Sequence, residues 1–218
     1  MKKLTILFFA GFIFSLMICC KKDPLSELPD DQARIYGRVV EKGSKKPVGG
    51  AKLFLHNCSC VFLGGCTCST IDTLTTDASG AYDFTYKYAG YSGRTFDISV
   101  LVPKLYRKES GIAVLAPNTH TIVKYDIEIK PIAWVKVHVK NINPFDEYDK
   151  ISVNGGWGGT SDSNVYFNKN VDVYFKKEIL GNDSIGVGAS VTKNNINTLT
   201  IQKKYALAHD TTYFEILY

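Results

Sequence analysis

Beyond its first thirty-odd residues this chain is written in a two-residue period. Ile35 to Val40, Ala51-Lys52-Leu53-Phe54-Leu55, Thr70 to Thr75, Ala81 to Tyr86, Phe96 to Val102 and Ile122 to Ile129 each alternate apolar and polar side chains. Successive side chains of a strand point to opposite faces, so such runs bury one face and wet the other, whereas a helix needs a repeat near ~3.6. Polar turns separate the runs, as at Glu41 to Pro47. In Asp77-Ala78-Ser79-Gly80 the Asp side chain can close a turn and the glycine can take a left-handed backbone. Six or seven short strands in about a hundred residues is the pattern of a β-sandwich.

Pro131 closes this series, and Ala133 to Lys140 opens another with Val135, Val137 and Val139 in phase. Lys150 to Val153, Asn164 to Phe167, Val171 to Lys176, Ser184 to Thr192, Thr198 to Lys203 and Thr211 to Leu217 follow, bounded by Asn, Asp or Gly. The expected fold class is therefore all-β, with two consecutive sandwiches at residues 33–131 and 132–218. The second is expected to have immunoglobulin-like or prealbumin-like layers. The last run reaches Tyr218, so no trailing domain is expected.

Gly37 and Val39 in the opening strand, then Pro47-Val48-Gly49-Gly50-Ala51, then Thr76-Asp77-Ala78-Ser79-Gly80-Ala81-Tyr82-Asp83-Phe84, resemble the carboxypeptidase regulatory-like domain. That family is a prealbumin (transthyretin-like) sandwich. The resemblance covers residues 33–131 and is interrupted by a cysteine-rich insertion at 57–69. It implies a structural or interaction module attached to other activities, and it transfers no catalytic residue.

Within the insertion, Cys58-Ser59-Cys60 and Cys66-Thr67-Cys68 are symmetric about Leu63. A hairpin closing there sets Cys58 opposite Cys68 and Cys60 opposite Cys66, so nested disulfides are expected where close cross-strand pairs bring the Cβ atoms to ~4 Å. A four-thiolate metal site is the rival, although structural zinc prefers two to four residues between paired cysteines. An exported compartment favours oxidation, and no metal is assigned.

Export is read from the N-terminus. Met1-Lys2-Lys3, an apolar run from Leu4 to Ile18, and Cys19-Cys20-Lys21-Lys22-Asp23-Pro24 have the layout of a secretory signal, too short for a span of ~20 apolar residues. The stretch resembles a bacterial lipoprotein signal peptide, in which a cysteine is lipidated (palmitate among its acyl chains) and becomes the mature N-terminus. A small residue is needed before the cut; cleavage before Cys20 supplies Cys19, whereas cleavage before Cys19 supplies bulky Ile18. Cutting before Cys20 also leaves an even set of four cysteines. Cys20 is the expected lipidation site, with Cys19, which has Leu16 at the favoured upstream place, as the alternative. The signal is assigned to residues 1–19 and a flexible tether to 20–32. Lys21 to Pro24 resembles the start of many Bacteroidetes lipoproteins, which implies an outer-membrane home, facing either the periplasm or the outside.

The full chain has 26 Lys+Arg against 21 Asp+Glu, scattered rather than striped, which gives no footing for a nucleic-acid partner. Trp157, in the glycine loop from Asn154 to Thr160, either stacks on a sugar ring from an exposed position or folds back over the sandwich end. Asp146, Glu147 and Asp149, with Asp162, read as a solvated acidic loop in preference to a calcium site. His56, His120, His138 and His209 are far apart, and no nucleophile signature accompanies them. The expected function is a lipid-anchored envelope protein acting as a non-catalytic structural, adhesion or scaffolding module, with no cofactor and with the membrane, through its lipid, as first partner. The alternative is a glycan-binding accessory lipoprotein using Trp157.

Overall fold

The computed structural model describes residues 28–61, 65–88, 94–108, 113–157 and 163–218, without the side chains of Cys60, Val61, Ala113 and Val114. The signal peptide, Cys19, Cys20 and Asp162 lie outside them. The elements are β1 (Gln32–Glu41), β2 (Lys52–Val61), β3 (Gly65–Thr75), β4 (Ala81–Lys87), β5 (Arg94–Leu101), β6 (Ala113–Ala116), β7 (Ile122–Lys124) and β8 (Ile127–Ile129). They continue with β9 (Ile132–Lys140), β10 (Lys150–Gly155), β11 (Ser163–Phe167), β12 (Asp172–Leu180), β13 (Asp183–Lys193), β14 (Ile196–Ala206) and β15 (Thr211–Leu217). The protein is all-β.

Two sheets enclose the first core. One runs β4-β1-β7 with β8 also on β1, and the other runs β3-β2-β5-β6. The alternating residues meet between them: Ile35 and Val39 of β1, Leu53 and Leu55 of β2, Phe84 of β4, Ile98 of β5, and Ile127 and Ile129 of β8 are all buried. A second core lies between sheets β11-β10-β13-β14 and β12-β9-β15, built on Val135, Val137, Val139, Ile151, Val153, Val187 and Phe214. Burial of each such side chain contributes on the order of 1.5–3 kcal/mol, which makes these alternating sets the main source of stability.

The expected run Ile122 to Ile129 is two strands rather than one. Both pair with β1 in parallel, and the chain breaks at Tyr125-Asp126. At the break the Arg38 amide donates to Asp126 Oδ1 (2.9 Å), and the hydroxyl of Tyr82 donates to the Tyr125 carbonyl (2.7 Å). Gly37 permits the crossing, because a Cβ there would sit 1.8 Å from the Tyr125 carbonyl oxygen. β6 escapes a reading by pattern, since it is a four-residue strand at a sheet edge with Leu115 exposed. The turn at Asp77 forms as its residues dictate: Oδ1 accepts from the Ser79 amide and hydroxyl, and Gly80 has φ +70°.

Residues 29–32, expected to belong to the tether, are tied to the first sandwich. Gln32 is already in β1, Asp31 pairs with Lys87, and the carbonyls of Pro29 and Asp30 accept from the Gln32 amide and the Tyr88 hydroxyl. Backbone groups satisfied in this way belong to the sandwich.

Candidate functional site

The densest polar node among the described residues is where the halves meet, centred on Glu41. This residue ends β1 at the mouth of a turn expected to be solvated, yet it is only 3% exposed. Its carboxylate accepts from Ser44 Oγ (2.6 Å), Asn182 Nδ2 (2.8 Å), His209 Nε2 (2.9 Å) and Tyr106 Oη (3.2 Å). Burial opposes its ionisation, but these four hydrogen bonds outweigh it and hold its pKa below the ordinary carboxylate value.

Two of the four donors come from the second sandwich, both from residues in left-handed backbone: Asn182 at φ 54° and His209 at φ 61°. Non-glycine residues seldom adopt this region, and Asn and His are among those that tolerate it best. Asn182 also donates to the Lys42 carbonyl, the Ala208 amide donates to Asn182 Oδ1, and the His209 ring stands edge-on to Tyr106. Backbone bonds continue the seam, from Gly181 N to the Pro131 carbonyl and from Ile132 N to the Leu105 carbonyl. The other ring nitrogen of His209, Nδ1, is buried with no hydrogen-bond partner among the described residues. In this joint Ser44, Tyr106, Asn182 and His209 all turn their polar groups to the one carboxylate of Glu41.

The cysteine hairpin adopts the expected register, Cys58 opposite Cys68 and Cys60 opposite Cys66. Cys58 and Cys68 form a disulfide across a Cα separation of 4.1 Å, the close spacing of a non-hydrogen-bonded pair. Cys66 is also disulfide-bonded, and Cys60 is its register partner. A bulge at Ile71 shifts the pairing between Leu55 and His56, so the hairpin leaves the core in a new phase. An oxygen of Asp97 and the sulfurs of Cys58 and Cys68 lie within 4.8 Å of one another, but sulfurs bonded together are not thiolate ligands.

The remaining candidates do not converge. Trp157 is 3% exposed, edge-on to Phe175 at 6.0 Å, and lies against Gly155, where a Cβ would meet the indole at 2.4 Å. The fold-back placement is the one found; an indole packed into the second core offers no face to a sugar, which corrects the exposed-loop reading. Asp149 is not solvated either: it is fully buried, accepting from Asn141 Nδ2 (2.8 Å) and the Phe145 amide (2.9 Å). Burial opposes its charge, but these bonds, the Asp146 amide and nearby Lys193 win and lower its pKa. Glu147 pairs with Lys169. His56 bridges Ser99 (2.7 Å) and Thr70 (3.1 Å), His138 pairs with Asp172 (2.8 Å), and His120 meets the Pro29 carbonyl (3.2 Å). An open groove of about 540 Å³ beside β1 and β4 includes Arg38, Asp77, Asp83 and Lys124. Its carboxylates already serve the fold, Asp83 bound to Arg34 and Asp77 to its own turn.

Sequence reasoning missed the Glu41 node, since a buried carboxylate at a strand end looks like any polar turn. The only local signal was the pair of short turns at Gly181-Asn182 and Ala208-His209. What the fold and the site define is a two-sandwich β-protein with a clamped joint and a stapled hairpin.

No family model matches the chain, and no curated protein matches it. Among solved structures it is similar to the Bacillus anthracis TIE protein (11% identity, TM-score 0.38, covering 86% of this chain and 33% of that one). It is also similar to a streptococcal ancillary pilin (12%, TM-score 0.36, covering 85% of this chain and 62% of that one). A third is the shaft pilin of Lactobacillus rhamnosus GG (10%, TM-score 0.31, covering 86% and 96%). The chain thus spans about a third of the first and under two thirds of the second. Likenesses this distant carry no argument about what the chain does.

Proposed function

We propose that this chain is a lipid-anchored protein of the bacterial cell envelope, attached at Cys20 to the outer membrane, that acts without catalysis as a structural, adhesion or scaffolding module. The observation that supports this reading is the Glu41 joint. An enzyme built between two domains needs groups free to meet a substrate in the cleft. Here the polar groups between the sandwiches are consumed by one another: a buried carboxylate takes four donors from both halves and immobilises the junction. Such a junction suits a rigid module that presents its outer faces and sheet edges from a short membrane tether.

Cells fed labelled palmitate test the anchor: the protein takes up label, and Cys20→Ala loses it and leaves the membrane fraction. An unlabelled wild-type protein in the soluble fraction would overturn the reading. Protease applied to intact cells then assigns the face, with removal meaning surface display and protection meaning a periplasmic scaffold. Glycan binding through Trp157 is not retained, because the indole is buried.

A further inference from the structure

The outer face of sheet β12-β9-β15 carries two like charges in direct register. Lys136 on β9 lies opposite Lys176 on β12, flanked along the strands by the pairs Trp134 with Glu178 and His138 with Tyr174. On the other side of β9, Tyr213 of β15 is the partner of Lys136. Like charges directly across a ladder repel and disfavour the pairing. Elsewhere on this face Asp172 is bound to both His138 and Lys140, and Glu215 lies 3.3 Å from His138. Among the described residues neither Lys136 nor Lys176 is salt-bridged to a carboxylate; the nearest in register are Glu178, opposite Trp134, and Glu215, opposite His138.

Aromatic rings hold the two ammonium groups instead. Lys176 Nζ is 4.8 Å from the centre of Trp134, and Lys136 Nζ is 4.9 Å from Tyr174 and 5.9 Å from Tyr213. Cation–π contact positions an ammonium without neutralising it. Tyr174 and Tyr213 are about three-fifths exposed, at 60% and 61%. The face therefore offers paired, positioned positive charge among exposed rings on a rigid three-stranded floor.

We infer that this face binds an acidic glycan, a chain of pyranose units bearing carboxylate or sulfate groups. The anion sits between Lys136 and Lys176 and relieves their repulsion, while neighbouring sugar rings lie against the tyrosine and tryptophan side chains. Charge complementarity selects an anion, since the unmatched pair is cationic. The aromatic surround selects a sugar over a bare ion, because amphipathic rings supply contact area at low entropic cost. An anionic bilayer fits less well, for the aliphatic side chains in register on the face, Leu217 opposite Lys140 and Leu180 opposite Ile132, lie at its two ends, and aromatic and charged residues fill the stretch around Lys136 and Lys176. The inference goes beyond the anchored-module reading and does not depend on where the protein is attached.

Calorimetric titration of the purified protein lacking its lipid, with polygalacturonate and dextran sulfate as probes and neutral dextran as control, tests it. The acidic chains bind, neutral dextran does not, and affinity falls as salt is raised. Lys136→Gln with Lys176→Gln weakens binding at least about tenfold, as two charge-assisted contacts are lost. Lys203→Gln, on the other sheet, leaves it unchanged. Lys176→Glu is the sharper variant, because it converts the repulsive pair into an attractive one: binding is lost while the melting temperature holds or rises, which excludes unfolding as the cause. Unchanged affinity in the double variant overturns the site. Equal affinity for polyglutamate or for phosphatidylglycerol vesicles overturns the assignment to a glycan.

Discussion

His209 Nε2 lies 2.9 Å from Glu41 Oε2 although 168 residues separate them, so one hydrogen bond joins the last turn of the second sandwich to the first strand of the chain. The bond is one of four on a carboxylate that the fold has removed from water. Losing a partner there strands the others, and that makes the joint the place where a point change has most leverage.

Glu41→Ala is expected to cost about 3 kcal/mol or more, the usual scale for breaking a buried hydrogen-bonded charge, with the sandwiches then unfolding in separate transitions. His209→Ala costs less, about 1–3 kcal/mol, since the carboxylate keeps three donors. Differential scanning calorimetry reads both outcomes. A Glu41→Ala protein with wild-type transition temperature and a single peak would dissolve the clamp.

The same carboxylate predicts acid sensitivity. Glu41 and Asp149 both have folded pKa values below their ordinary ones. Depressed values mean that their stabilisation is fully present above the unfolded values, near ~4, and is lost as the pH falls through the folded values. Chemical denaturation between pH 7 and pH 3 should therefore show stability falling at the acid end, with a shallower fall in Glu41→Gln. Parallel curves would remove Glu41 from the acid transition.

Non-reduced, metal-stripped protein should be about 4 Da lighter than its fully reduced form, each bridge removing about two hydrogens. A difference of about 2 Da would leave the Cys58–Cys68 bridge as the only one, and no difference would contradict the oxidised hairpin. Because the bridge spans a sequence separation of 10, it restrains a short loop, worth about 2–3 kcal/mol in closure entropy. The loss on Cys58→Ser with Cys68→Ser should be confined to the hairpin, visible as faster amide exchange in β2 and β3 and not in β9.

Gly37→Ala is expected to be among the most damaging single changes. Its added methyl would lie 1.8 Å from the Tyr125 carbonyl oxygen, so either β7 or β8 must leave β1. A loss of several kcal/mol, on the order of the 4–5 that mark exceptional mutations, is expected from urea unfolding. A mild effect would mean that the close crossing of Tyr125 is not required.

The alternation of β1, β2, β4, β9 and β13 was legible because each strand buries one face only, and period two then follows from geometry. The hairpin register was legible because the cysteines are symmetric about their own turn. What pattern could not supply was any pairing between distant segments. Glu41 meets Asn182 and His209 only across more than a hundred residues of chain, and Lys136 meets Lys176 only through the register of β9 with β12. Asp149 shows the complementary failure: it looks like loop chemistry and is turned inward by Asn141 and the Phe145 amide, partners that no local rule identifies. For Trp157 the fold-back reading was legible, but its partner Phe175 was not.

The proposed lipid anchor at Cys20 is tested most directly by the mass of the mature N-terminal peptide from membranes of the producing cell. The account predicts a chain beginning at Cys20 that carries a diacylglyceryl group, with the signal gone and the protein in the outer-membrane fraction. A chain that retains Met1, or one cleaved elsewhere and bearing no lipid, would contradict it.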